Sequence, residues 1–557
     1  MSNQQPASFT KPDVLIVGGG VSGLFAAWRL LKNSQDLSLT VVEKMDHVGG
    51  RLETTLVEIE GTDGESYWVH DEEGGMRFIP RNKGMSHLWN LIDEFNLKPV
   101  PFVMGDDNNR YYIRGKPFTV GDVKSSNNAI WSSLFNLAPE EKNLGPKQIL
   151  RKVMDDILSQ NGKSKIPDTP AEWIAFRNSC TYQDSTGKPQ PINEWGFWSL
   201  LHQYGLSEEC ITFLDHVIGF MGPFHAFINA GEGMQILFDF PAAVSFLTLE
   251  DGFQSLPKAL AEAIQSMGGE IIVAEKITSL ERTDDIYTLK GSKYTYQAEK
   301  VILAIPKKPL KDLLKASEIL SANTTFTETV SSVKNMELTK VGLYFNERWW
   351  HSNKKIKLTN GPNFTDLPLG SVYSFSQYPS DPDKDAGYNG PAALTQYTDY
   401  TRGNFWKEMQ NIGQMYQTDE FPENPKGTYP ASVNLVNEVM KQIKLVLGLE
   451  ADDSSVPMPV LSTYRVWGQE PFGYGYHQYK MNVNDLEDVY FNIWNPAENV
   501  YVCNESWSPE QGWVEGALIM SDFVMILGFG LSPYDNEPNP IIAAKEAAGR
   551  SKIKSKS

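Results

Sequence analysis

Four groups of residues in this sequence have the types and spacing for chemistry. GGGVSG (18–23) puts Gly18, Gly20 and Gly23 in the spacing GxGxxG, and a carboxylate, Glu43, follows twenty residues after Gly23. In such a loop the first glycine makes a tight turn. The second lets a pyrophosphate reach the backbone, and the third lets a helix pack closely on a strand. The helix N-terminus then offers N–H groups and partial positive charge to phosphate. A carboxylate at this distance suits the hydroxyls of an adenosine ribose and repels a 2′-phosphate, so FAD or NAD is favoured over NADP. VGGR (48–51) adds a second glycine pair and an arginine. DEEGGMRFIP (71–80) sets Arg77 just after three acids. Arg77 either balances Glu72 and Glu73 or is a fixed cation for a buried carboxylate, which a guanidinium grips at two points. Lys340 stands alone in ELTKVGLYFNERWW, and a lysine in an apolar strand needs something polar to face.

The elements around these residues follow from the pattern. DVLIV (13–17) and LSLTVVE (37–43) are short apolar runs of the kind found in parallel strands buried on both faces. LFAAWRLLKN between them has helical apolar spacing. The unit is therefore strand, Gly-rich turn, helix, strand, and that context lifts the glycine motif above a bare match. EIIVAEKITSLERTDDIYTLKGSKYTYQAEKVILAIP (270–306) alternates as a strand meander with turns at TDD and KGSK, and Pro306 stops its last apolar run. NVYVCNESWSPEQGWVEGALIMSDFVMIL (499–527) reads as a strand, a loop and a long helix.

Composition limits the function classes. With 557 residues, 41% of them hydrophobic and 14 of them Trp, the chain suits two to four globular domains. The net charge of −19 argues against nucleic acid as a partner, because that binding rests on basic charge. Three cysteines without a CxxC do not make a disulfide framework, and the eight histidines include no HExxH, so no metal site is expected. The apolar run ALIMSDFVMILGFGL is interrupted by Asp522 and reads as a buried helix, so no membrane span is expected. MSNQQPASFTKPD has no apolar leader core, which points to a cytoplasmic protein.

The glycine loop, Glu43 and VGGR together resemble the FAD-dependent amine oxidase superfamily, and the Gly-Gly-Met-Arg segment narrows the resemblance to L-amino acid oxidases. The resemblance covers nearly the whole chain and implies an α/β fold. A discontinuous Rossmann-like FAD-binding domain (10–80, 246–309 and 486–535) would be joined to a mixed-sheet substrate-binding domain (81–120 and 310–485). A helical domain (121–245) and a C-terminal tail (536–557) complete it; the basic end of that tail, SKIKSKS (551–557), is expected to be disordered. For FAD it implies contacts from Gly18, Gly20, Val21, Ser22, Gly23, Glu43, Lys44, Gly49, Gly50 and Arg51. Further contacts come from Gly74, Gly75, Met76, Arg77, Ile277, Glu505, Gly512, Trp513 and Val514. Arg77 would hold the substrate carboxylate with a second hydrogen bond from Tyr373, Tyr378 being the alternative. Lys340 would hold a water beside the flavin, and Trp513 and Phe472 would sandwich the reacting amine. No histidine occupies NAGEGMQILFDFP (229–241), where some relatives have a proposed base; Glu232 stands in that stretch and His225 lies earlier. A base is unnecessary if the amine binds neutral, which burial favours. The implied reaction takes an L-amino acid and O2 to a 2-oxo acid, ammonia and hydrogen peroxide, with a dimer or larger homo-oligomer expected by family analogy. The alternatives are an amino acid 2-monooxygenase, a polyamine or monoamine oxidase, and a non-catalytic FAD-fold protein.

Overall fold

The computed structural model describes residues 11–554 apart from 35, 82–83, 239–245, 354–355, 357, 359 and 418–426. Its first layer is a five-stranded sheet. The strands lie in the order Glu270–Ile272, Leu39–Val42, Val14–Val17, Lys300–Leu303 and Val500–Val502, every neighbouring pair parallel. The central strand is buried at all four residues, which is why its sequence is an unbroken apolar run. Helices Val21–Asn33 and Val514–Phe529 pack together beside this sheet in one core. Three segments distant in sequence therefore build one layer, as the expected discontinuity requires. The meander Ile277–Thr283, Ile286–Gly291 and Thr295–Ala298 is antiparallel throughout.

The second layer is an eight-stranded mixed sheet. Its central strand Leu338–Phe345 lies between Leu461–Trp467 and Ala392–Asp399, antiparallel to both. Beyond Ala392–Asp399 the order runs Ser371–Ser374, Gly361–Thr365, Arg110–Ile113 and Lys116–Thr119. The helix Val433–Val446 packs on it through Leu435, Val436, Val439 and Ile443. The hairpin Thr54–Glu60 and Ser66–Glu72 packs on this sheet, with Val57, Ile59 and Val69 against Tyr344, Ala393 and Leu461. Helices from Pro146–Gln160 to Ala230–Phe238 form a third body around their own core. None of the helices among the described residues is long and apolar enough to cross a membrane.

Two boundaries differ from expectation. The stretch after residue 536 is not a loose tail up to its last three residues, which lie outside the described ones. Pro540–Lys554 is a helix whose Ile541 is fully buried against the first core. The basic residues of SKIKSKS hid a helix anchored by the apolar residues before it. The helix Ser86–Glu94, expected with the substrate region, shares the first core through Leu88, Leu91 and Ile92.

Candidate active site

One cavity of about 520 Å³ runs from the Gly-rich loop to the second sheet. Its first end is built where Val14–Val17 and Leu39–Val42 stop. Gly18, Gly20, Val21, Ser22, Glu43 and Lys44 line it there. Gly23 does not line it. A Cβ at Gly23 would lie 2.0 Å from the Gly18 carbonyl oxygen, so this glycine serves the close packing of helix on strand. The Glu43 carboxylate accepts N–H bonds from Gly19 (2.7 Å) and Met45 (2.8 Å). Burial nevertheless pushes its pKa up. Ile277, with Glu275 and Lys276, closes this end. The Lys44 ammonium donates to the Pro471 carbonyl.

Further along, Gly49, Gly50, Arg51, Gly74, Gly75 and Met76 form one wall. A Cβ at Gly74 would stand 2.2 Å from the Arg51 carbonyl oxygen, so the segment can lie against VGGR only without a side chain there. Opposite, the helix Val514–Phe529 begins at the cavity with Gly512, Trp513 and Val514 on the wall. Two helix N-termini thus open on the cavity, that of Val21–Asn33 and that of Val514–Phe529, and each favours negative charge. Glu505 lines the wall between them with its oxygens already engaged. It pairs with Arg51 at 2.5 Å and accepts from the N–H groups of His477 (3.1 Å) and Gly512 (2.9 Å). Burial alone would raise this carboxyl; Arg51 and His477 overcome that and hold it down at about 2. Glu505 thus positions Arg51 and the start of the Trp513 turn rather than reaching outward as expected. These features fit an extended dinucleotide: glycine-lined walls, a buried carboxylate at a strand end and two helix N-termini.

The far end carries the side chains with chemical potential. Arg77 is buried on the wall, its guanidinium 5.6 Å from the ring centre of Phe102 and 5.4 Å from that of Phe246. Its acidic neighbours turn elsewhere. Glu72 accepts from Thr54 and from the Phe253 N–H, and Glu73 meets Thr463 and Arg465. Trp513 stacks on Phe246 at 6.4 Å with ring planes 7° apart. Lys340 is buried, lines the cavity and donates to the carbonyls of Glu72 (2.5 Å) and Gly74 (2.8 Å).

Two expected residues stand elsewhere. Tyr373 is buried in the cluster of Met76, Phe102 and Phe246 and is absent from the cavity wall. Tyr397 stands on the wall instead, paired directly across the sheet from Lys340 and 6.2 Å from Tyr373 ring to ring. Burial raises the pKa of the Tyr397 phenol, while the nearby Arg77 charge opposes the rise. Tyr373 pairs with Thr395, two residues along from Tyr397, so one pleat separates the two phenols. Tyr378 is bonded through its backbone to Asp385 and does not line the cavity. Phe472 lines the cavity, but against Met45 and Trp467 near the Glu43 end. The aromatic beside the Trp513 turn is Tyr476, which would lie 3.5 Å from a Cβ at Gly512. Only strand register distinguishes these positions, and a single sequence does not carry it. Phe220 and Ile236 complete this end from the helical body. Glu232 is buried 3.9 Å from Arg177, and His225 pairs with Asp215 at 3.1 Å, neither on the cavity wall.

The family described as flavin containing amine oxidoreductase matches residues 21–413. Achacin of Lissachatina fulica is 25% identical over 91% of both chains. An L-amino acid oxidase of Cerastes cerastes is 29% identical over a shorter stretch, 27% of this chain and 26% of that one. The solved structure of putrescine oxidase bound to putrescine superposes with a TM-score of 0.63 at 16% identity, covering 94% of this chain and all of that one. That likeness speaks for the fold. The expected cytoplasmic location is corrected: achacin is a secreted protein, and a polar first stretch carries no information on compartment.

Proposed function

The chain belongs to the flavin containing amine oxidoreductases, and on that basis we propose that it is an L-amino acid oxidase. Its cofactor is FAD, which when bound accepts a hydride from the substrate carbon and passes the electrons to O2. The products are an imino acid, hydrolysed to a 2-oxo acid and ammonia, and hydrogen peroxide. The observation that carries the reading is a buried arginine that lines the cavity beside the rings of Phe102 and Phe246. An α-carboxylate entering the cavity is the group that a guanidinium grips at two points, and a monoamine or polyamine brings none.

In this reading Gly18, Gly20, Val21, Ser22 and Glu43 hold the adenosine and pyrophosphate end, with Lys44 and Ile277 beside them. Gly23 acts by packing. Gly49, Gly50, Arg51, Gly74, Gly75, Met76, Gly512 and Val514 flank the flavin, with Glu505 behind Arg51. Arg77 grips the substrate carboxylate at two points and Tyr397 adds a hydroxyl donor. Trp513 and Tyr476 wall the amine and exclude water, which favours its neutral form. With the carboxylate fixed, only one hand of the substrate turns its α-hydrogen toward the flavin. Lys340 holds a water at the same wall. In this reading the chain is divided into an FAD-binding domain (10–80, 246–309 and 486–535), a substrate-binding domain (81–120 and 310–485) and a helical domain (121–245), and a dimer is expected, which light scattering checks.

Product analysis tests the reading. Each mole of L-amino acid consumed is expected to yield one mole each of peroxide, 2-oxo acid and ammonia. An amide with release of carbon dioxide would make the protein a monooxygenase, and turnover of amines alone would make it an amine oxidase.

A further inference from the structure

Ile236 lines the cavity from the helical body, while its chain neighbour Gln235 lies off the wall in a buried polar cluster. Arg177, on the helix Pro170–Ser179, is the centre of that cluster. Its Nε and one terminal nitrogen donate to Asp485 at 3.1 and 2.7 Å, and the other terminal nitrogen donates to the Gln235 amide oxygen. Asp485 also accepts from Asn178 and from the Tyr490 hydroxyl, both at 2.5 Å. Tyr490 belongs to the core of the parallel sheet, so the guanidinium is tied to that body. The Arg177 stem runs over Gly231, where a Cβ would stand 2.8 Å from its Cγ. The helix Ala230–Phe238 can approach Arg177 this closely only with a glycine there.

With its oxygen taken by Arg177, the Gln235 amide gives its NH2 to the Pro509 carbonyl (3.0 Å) and the Glu510 carboxylate (3.2 Å). The Glu510 carbonyl in turn accepts the Trp513 N–H at 3.3 Å. Every link from Ile236 to Trp513 is therefore a covalent or a hydrogen bond, running through Gln235 and Glu510. Phe220 is held separately, on the mixed sheet, because Met221 and Gly222 donate their N–H groups to Asp399 at 3.0 and 2.9 Å. A primary amide suits the bridging place because its tip both accepts and donates; a carboxylate lacks the donor and an aliphatic chain lacks both. We propose that Gln235 is a positioning residue for substrate choice: it fixes Ile236 relative to Trp513 and so sets the room left for the substrate side chain. The proposal rests on the reading of this cavity end as the substrate site given above.

The wall set in this way selects by fit. Ile236 and Phe220 offer carbon surface to the cavity, and Glu232 of the same helix lies toward Arg177 and off the wall. An apolar wall discriminates by volume, and one methylene is worth about tenfold or more where the packing cannot give way. A wall freed from its bridge gives way and loses that discrimination. The grip on the carboxylate belongs to Arg77, on a different segment of the chain, and stays. Breaking the bridge therefore separates choice among side chains from recognition of the carboxylate.

Carboxylic acids without the amine read this choice without turnover. Propanoate, 4-methylpentanoate and 3-phenylpropanoate carry the carbon frames of alanine, leucine and phenylalanine, and their affinities for the FAD-loaded protein are read from the change in flavin absorbance. In Gln235→Met, propanoate is expected to bind as in the wild type, while the affinity of the better-bound longer acid relative to propanoate falls about tenfold. Gln235→Glu keeps the acceptor for Arg177 and loses the donor for the turn; it is expected to do the same, and it decides should Gln235→Met fail to fold. Ile236→Ala must shift the ratio by itself, and adding Gln235→Met to it must shift the ratio no further, because the glutamine acts through Ile236. Equal weakening of all three acids, an unchanged ratio in Gln235→Glu or Ile236→Ala, or a further tenfold shift in the Ile236→Ala background overturns the proposal. Binding of none of the acids by the wild type would sink the carboxylate reading of Arg77 and this proposal with it, whereas binding with a ratio that the variants leave unchanged sinks this proposal alone.

Discussion

Arg77 is the residue on which substrate choice turns. Leaving a buried charge without its partner costs about 2–5 kcal/mol. Arg77→Met is therefore expected to retain FAD but lose about 10²–10³-fold in kcat/KM for L-amino acids. Steady-state kinetics with flavin content measured in parallel checks this. Tyr397→Phe removes one hydrogen bond to a charged group, worth about 1.5–3 kcal/mol, so a loss of about ten- to hundredfold is expected, while Tyr373→Phe should change turnover little. The contrast shows what a sequence can carry. Arg77, Glu43 and Lys340 stand out because short local context identifies them. Tyr397 and Tyr476 did not, because a strand of alternating residues offers several tyrosines and only pairing with a distant strand decides which one meets the cavity. Glu73 was hidden for a related reason: it stood among acids as a charged neighbour, and only folding buried it 3.5 Å from Arg465.

At the scale of elements, the Gly-rich turn and its flanking strands were legible because parallel buried strands are written as apolar runs. The eight-stranded sheet was foreseen only as a mixed sheet. Its order joins residues 110–119 to residues 338–467, and nothing local announces that. The same limit hid a pin between helices. His87, at the start of Ser86–Glu94, lies between Glu515 (2.8 Å) and Asp522 (3.6 Å) of the helix that opens on the cavity, with Asp535 at 3.7 Å. Glu515 also accepts the backbone N–H groups of His87 and Leu88, and Arg29 pairs with Asp522 at 2.7 Å. Burial alone would lower the imidazole, but these carboxylates raise it to about 10. Folded affinity for the proton exceeds unfolded affinity, so the imidazolium stabilises the fold fully below pH about 6.5. That contribution is lost as pH rises through about 10. Thermal unfolding is expected to show a fall in Tm between these values that is flattened in His87→Asn. An equal fall in both proteins would remove the pin from the account.

At the scale of the molecule, one cavity is walled by three bodies: the parallel sheet with its helices, the mixed sheet, and the helical body through Phe220 and Ile236. A ligand that touches several bodies stabilises all of them, because binding to the native state alone shifts unfolding by mass action. Removing FAD is expected to lower Tm by several degrees and to broaden the transition, which scanning calorimetry of apo and FAD-loaded protein checks. The central claim concerns what enters this cavity beside the cofactor, and anaerobic mixing tests it most directly. Flavin absorbance is followed after adding an L-amino acid, its D-enantiomer, or the amine left when its carboxylate is removed. Bleaching by the L-amino acid alone, abolished in Arg77→Met, is the predicted result; bleaching by the amine as fast as by the L-amino acid would contradict the account.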